Sequence, residues 1–202
     1  LPYVKAGFAV VAYEVSGVLG EDPTSEEILK QVRTFVQRNG GVEDARSAAK
    51  LALTKYAFLD PARLYVAGHS SAGTLALQVA QGSPKIKGCI AFSPITNLHE
   101  RAGEEVLNLL TPAGIPELYA ATSPHLHTGS VTCPVFLFSA KDDDNVDPDS
   151  VKAFAAQLLK EGKPVKHVEV ESGGHYDSMI DPGLKTAVEW LTELDAGLSM
   201  PK

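Results

Sequence analysis

Nothing in the sequence marks a membrane or nucleic-acid protein. Its apolar runs stay well short of the ~20 residues that a helix needs to span a bilayer, so no membrane role is expected. Basic residues are outnumbered, 18 Lys and Arg against 25 Asp and Glu, and the formal charge of −7 argues against a nucleic-acid-binding surface. Cysteine is scarce: Cys89 and Cys133 make no disulfide framework, and no Cys/His cluster has zinc-ligand spacing. Cys89 sits in the run GCIAF and reads as a small core residue. No repeat, low-complexity tract or linker divides the chain. It opens at Leu1 with neither methionine nor signal peptide, which leaves the compartment open. What the sequence does have is apolar content, 44% of 202 residues, enough for one domain (1–202) with a sizeable core.

Residues 1–6 read as the end of a helix closed by Gly7. Residues 8–13 (FAVVAY) are a continuous apolar run rich in β-branched and aromatic side chains, which predicts a strand buried on both faces. After a loop at 14–23, Thr24 or Ser25 caps a helix on which Ile28, Val32, Phe35 and Val36 recur at helical spacing. Asn39-Gly40-Gly41 ends it, and an alanine-rich helix follows over about 42–56. Further buried strands are predicted at 64–67, 86–92 and 134–138, with an alternating, edge-like one at 165–170. Helices are predicted after residue 70, at 151–159 and at about 182–194. Residues 97–127, cut by Pro112, Pro116 and Pro124, read as a lid-like insertion over the strand ends or as a connecting loop with helical turns. Strands alternating with helices predict an α/β fold: an open, mostly parallel sheet with helices on both faces. Ligands on such sheets bind outside the carboxyl ends of the strands.

One of those ends carries the most informative stretch, residues 64–77, LYVAGHSSAGTLAL. An apolar strand, a hydroxyl-bearing turn and a helix in that order are the layout of a nucleophile elbow. Strand and helix approach closely there, so the residues two before and two after the nucleophile must be small. Ser70 has Gly68 and Ala72 in those places, whereas Ser71 would have His69 and Gly73, and a histidine does not fit. Ser70 is therefore the expected nucleophile, with Ala72 a mild departure from the usual glycine. His69 is read as packing or orienting.

A serine hydroxyl needs a base within hydrogen-bond reach, and the base needs an acid to fix its tautomer. The expected chain order at such an elbow is serine, acid, histidine, each after its own strand. After the strand PVFLF comes the loop of Asp142, Asp143 and Asp144; after VKHVEV comes Gly173-Gly174-His175. The order is met. Alone, the aspartate loop would read as a solvated turn or an oxygen-ligand cation site, and a Gly-Gly-His loop as structural. His125 and His127 have no third ligand nearby and read as surface loop.

At these residues the sequence resembles the α/β-hydrolase superfamily, more narrowly the prolyl oligopeptidase-type and dienelactone-hydrolase-like serine hydrolases. Asp60-Pro61-Ala62-Arg63 leading to Gly68-His69-Ser70 is similar to the family's approach to its elbow. Asp143-Asp144-Asn145-Val146 is similar to the acid loop of dipeptidyl-peptidase relatives, in which the first aspartate is the triad acid. The resemblance therefore implies Asp143 as the acid, thirty-two residues before His175. It implies an α/β-hydrolase fold and a Ser70–Asp143–His175 triad acting on an ester or peptide substrate, with no metal or organic cofactor. It also implies that the Ser71 backbone N–H is one oxyanion-hole donor.

The family places several more strands and a His-Gly-Gly-type loop ahead of the strand matched by FAVVAY, and this sequence contains no such loop. The N-terminal part of the fold is accordingly expected to be missing. The sheet edge so exposed is expected to be covered by an N-terminal segment or by a second copy in a homo-oligomer. The competing reading is a non-catalytic α/β-hydrolase-like domain that binds a ligand or partner.

Overall fold

A computed structural model of the chain describes residues 2–197. Four parallel strands form one sheet in the order β1 (Leu64–His69), β2 (Ile86–Phe92), β3 (Val135–Ala140), β4 (Val165–Val170). Side chains alternate across a strand, and the two inner strands use both faces. Cys89 and Ala91 of β2 and Val135 and Leu137 of β3 enter one core layer. It is closed by helices α3 (Val42–Lys55), α4 (Ser71–Gln81) and α8 (Pro148–Lys160). Ile90, Phe92, Phe136 and Phe138 face the opposite layer, where α9 (Leu184–Asp195) buries Trp190 and Leu191 and the short α1 (Pro2–Lys5) adds Tyr3. The sequence expectation of a parallel sheet with helices on both faces therefore holds.

Local chemistry explains most of the boundaries. Helix α2 (Ser25–Gln37) starts at Thr24, whose side chain accepts from the Glu27 N–H while Glu27 accepts from the Thr24 N–H, a capping box. Helix α8 begins three residues before the expected 151 because Asp147 caps it, accepting from the Asp149 N–H, and Pro148 supplies a pre-set φ in the first turn. Asp44 at the start of α3 is buried and ties three segments together. It accepts from the Ser16 N–H (2.8 Å), the Ser16 hydroxyl (2.9 Å) and Arg38 Nε (2.8 Å).

Residues 8–13 depart from expectation. They form no strand, and Val10 and Val11 are 46% and 49% exposed rather than buried on both faces. Apolar, β-branched residues make a segment fit for a sheet, but a strand exists only where a neighbour offers its row of N–H and C=O groups. Among the described residues none does. The ring of Phe8 packs edge-on to Tyr65 of β1 at 5.8 Å, and β1 keeps an outer edge with no strand beside it. Leu1, placed by the sequence at the helix end, lies outside the described residues.

The segment 97–127 folds as three short helices, α5 (Leu98–Ala102), α6 (Glu104–Leu110) and α7 (Ile115–Thr122), with the expected prolines at their breaks. The strands end in step at their carboxyl ends. The ladder continues one residue beyond each: the N–H of Ser70 donates to Phe92 O (2.8 Å), of Ser93 to Phe138 O (2.8 Å) and of Lys141 to Val170 O (2.9 Å). The loops carrying Ser70, Asp143 and His175 therefore leave the sheet along one edge.

Candidate active site

Sterics shape the elbow. A Cβ on Gly68 would lie 2.0 Å from the Ala72 carbonyl oxygen and 2.6 Å from the Gly73 nitrogen, so only glycine allows β1 and α4 to cross there. Gly73 also faces backbone, since a Cβ there would sit 3.1 Å from both Gly68 O and Phe92 O. Ala72 is exposed, which explains why alanine is tolerated where the usual pattern has glycine. Between them Ser70 adopts φ 56° and ψ −124°, outside the regions favoured by L-residues. Such a residue costs about 1–3 kcal/mol and persists only when its surroundings over-determine it. Here the Ser70 N–H is held by Phe92 O and its carbonyl by the Thr74 N–H (3.0 Å). Ser70 stands at the N-cap of α4 yet makes no side-chain cap bond, so its hydroxyl is not spent on the helix. The N–H of Ser71 opens α4, where first-turn donors have no intrahelical partner.

Asp143 and His175 meet at the next two strand ends. His175 Nδ1 donates to Asp143 Oδ2 at 2.8 Å, and the two side chains are 3% and 0% exposed. The other carboxylate oxygen accepts from the N–H groups of Asn145 (2.9 Å) and Val146 (3.0 Å). Burial alone would push the Asp143 carboxyl up; the His175 bond, these two amides and the Ser93 hydroxyl outweigh it and hold the group below its ordinary value. An ionised Asp143 on Nδ1–H leaves the lone pair of His175 on Nε2, the tautomer a base requires. The Ser70 hydroxyl makes no hydrogen bond to His175. Instead His69, next to the serine, lies against His175 with ring centroids 4.4 Å apart. Tyr176, 62% exposed, meets His175 edge-on with centroids 4.9 Å apart and lies tilted against His69 at 5.3 Å.

Two site features are silent in the sequence. Asp142, set aside there in favour of Asp143, accepts from the N–H groups of Gly173 (3.1 Å) and Gly174 (2.8 Å). Three consecutive aspartates in the loop were a signal, but nothing in the sequence gives Asp142 a role of its own. Beside the elbow lies a cavity of about 350 Å³, between the first turns of α4, the Val15 and Phe35 segments, and α5 and α7. Leu75, Ile95, Leu98 and Leu118 make it chiefly apolar. Its Thr74 hydroxyl is committed to the Ile95 carbonyl (2.9 Å) and its Gln78 amide to Thr122 O (3.1 Å). Among the described residues Arg101 is the one charged member of its lining. The cavity is assembled from five separate segments, so no local pattern announces it.

Elsewhere, His125 and His127 are half-buried rather than surface residues, and His125 Nδ1 donates to Thr96 O (2.9 Å). Among the described residues no three His, Cys, Asp or Glu gather to hold a metal, and no helix is long and apolar enough to cross a membrane.

A sequence profile of the prolyl oligopeptidase family matches residues 2–195. The chain belongs to the prolyl oligopeptidase family. Solved structures of family-like fold agree. A Mycobacterium tuberculosis puromycin-hydrolyzing peptidase is 25% identical, with a TM-score of 0.66 over 78% of this chain and 25% of that one. A Pyrococcus horikoshii acylaminoacyl peptidase (19% identical, TM-score 0.66) covers 88% of this chain and 29% of its own. Porphyromonas gingivalis dipeptidyl peptidase 4 (22% identical, TM-score 0.62) covers 77% and 23%. The chain thus spans about a quarter of the length of these structures. No curated protein matches it in sequence. Within the family fold, the elbow and the Asp143–His175 pair lie on the strand ends where a parallel α/β sheet keeps its ligands.

Proposed function

We propose that this chain carries the catalytic centre of a serine peptidase, with Ser70 as nucleophile, His175 as general base and Asp143 as the acid that orients it. The observation that carries the reading is the sealed 2.8 Å bond from His175 Nδ1 to Asp143, set beside a serine held in a strained turn. His175 Nε2 takes the Ser70 proton as Oγ attacks the scissile carbonyl, and the Ser71 N–H at the positive end of α4 receives the developing oxyanion. Collapse expels the amine, which leaves with the proton from His175, and an acyl-enzyme remains on Ser70. Water, deprotonated by His175, then releases the acid and restores the serine. An ester would follow the same course with an alcohol leaving.

The apolar cavity adjoining Ser71 suits the side chain next to the scissile bond, and α5 and α7, from segment 97–127, form its outer wall. This gives the insertion the role of substrate wall rather than plain connection.

The test is covalent labelling with a fluorophosphonate. It is expected to modify Ser70, to fail in Ser70→Ala and to slow by orders of magnitude in His175→Ala. Labelling that survives Ser70→Ala, or no labelling of the folded protein, overturns the reading.

A further inference from the structure

The proposed base sits directly after two glycines, the residues with most backbone freedom to lose. Gly173 and Gly174 both adopt positive φ, 119° and 56°. Left to themselves they would let the imidazole wander, and a displacement of about 1 Å at a reacting group is enough to cost ~10²-fold in rate. The loop is not left to itself. The Gly173 and Gly174 N–H groups donate to the two carboxylate oxygens of Asp142 at 3.1 and 2.8 Å. Their carbonyls accept from the Ser178 N–H (3.0 Å) and the Ser178 hydroxyl (2.6 Å). The carbonyl of His175 itself accepts from His69 Nε2 at 2.7 Å. A carbonyl can only accept, so that bond fixes the proton of His69 on Nε2.

From this we infer that Asp142 and His69 are positioning residues that clamp the main chain of His175 from two sides and aim its imidazole at Ser70. The inference rests on the reading of His175 as base. Asp142 reaches the loop from the end of β3, the strand that also delivers Asp143, so one loop holds both the ring and the backbone that carries it. His69 reaches it from the end of β1, one residue before the nucleophile, so the clamp couples base to elbow. The exposed Lys141–Glu171 pair links the same two loops (2.5 Å) but, being solvated, adds little. His69 is well chosen for its place. Burial pushes its pKa down, which favours the neutral ring over one that would set a like charge against the imidazolium forming 4.4 Å away.

The experiment compares Asp142→Ala, Asp142→Asn, His69→Phe and His69→Gln on two readouts. The first is independent of activity: the downfield proton resonance of His175 Nδ1–H, hydrogen-bonded to Asp143. It is expected to be sharp in the parent protein and to broaden through solvent exchange in Asp142→Ala and His69→Phe. Asparagine keeps one acceptor and glutamine keeps an N–H donor, so both should recover part of the signal. The second is the fluorophosphonate labelling rate at Ser70, expected to fall ~10²-fold in Asp142→Ala. On a peptide substrate the loss should lie in kcat with KM unchanged, because the cavity is untouched. The double variant should be about as slow as the worse single one, since either release frees the same loop. An unchanged His175 resonance in both Asp142→Ala and His69→Phe overturns the clamp, whether or not the protein labels. Absence of labelling in the parent protein overturns only the catalytic reading.

Discussion

Gly68→Ala is the most discriminating single substitution because the space its methyl would enter is bounded by backbone alone. The added Cβ would lie 2.0 Å from Ala72 O, 2.2 Å from Ala72 C and 2.6 Å from Gly73 N. Unstrained contacts between carbon atoms are about 3.5 Å, so α4 must retreat from β1 by roughly 1–1.5 Å. All three atoms are backbone, and no side chain can rotate away to make room. Overpacking of this kind costs about 1–3 kcal/mol, and we expect the upper end, a fall in Tm of roughly 6–12 °C for a chain of this size. The retreat also re-aims the Ser71 N–H and the first turn of α4 relative to the Ser70 hydroxyl, so labelling should slow by ~10²-fold even where the variant is fully folded. Ala72→Gly is the control. Its side chain is exposed, and restoring the usual glycine should cost no more than about 1 kcal/mol and leave the labelling rate in place. Differential scanning calorimetry and labelling kinetics read both effects. A Gly68→Ala protein with the Tm and labelling rate of the parent would refute the steric account of the elbow.

Asp143→Asn should reduce kcat by ~10⁴-fold through the wrong His175 tautomer, measured on a peptide or ester substrate, whereas an equal loss in Asp144→Asn would show the register of the acid loop to be wrong. The Asp143 carboxyl is held below its unfolded value, so the unfolded chain binds the extra proton first. Its stabilisation is complete above the ordinary carboxylate pKa of about 3.9 and is lost as pH falls through the folded value. Urea melts should therefore show the gap between parent and Asp143→Asn closing below about pH 4, and a constant gap contradicts the assignment. Asp44→Ala orphans the Ser16 and Arg38 donors and should destabilise by roughly 2 kcal/mol or more, with little change in the labelling rate of the folded fraction. Ala102→Phe, which fills the cavity, should raise KM about tenfold for substrates with a large apolar side chain at the scissile bond. Substrates with a small side chain there should be unaffected.

Much of the architecture was legible because it rests on local chemistry. The capping hydroxyls at Thr24 and Ser25, the apolar run 86–92 and the alternating 165–170 each name their own structure, and the observed β2 and β4 have the predicted bounds. The strained turn centred on Ser70 was legible for a steric reason, since only one of two adjacent serines has small residues at both flanks. Pairing was not. Residues 8–13 have every property of a buried strand, yet whether they form one depends on a neighbour that no residue among them specifies. The hold of Asp142 on the His175 loop was equally hidden, because it is decided by which loop amides come within hydrogen-bond reach. The cavity belongs to the same class: α4, α5, α7 and the Val15 segment meet only in three dimensions.

The central claim is that Ser70 Oγ and His175 Nε2 converge on one carbonyl, and a peptidyl chloromethyl ketone measures that convergence directly. The serine adds to the ketone carbonyl carbon while Nε2 displaces chloride from the adjacent methylene, so rapid alkylation of the histidine requires both groups on neighbouring carbons of one bound ligand. The account predicts stoichiometric alkylation of His175, located by peptide mapping, that slows by orders of magnitude in Ser70→Ala. Alkylation of His175 at the same rate in Ser70→Ala, or alkylation of a different residue, would contradict it.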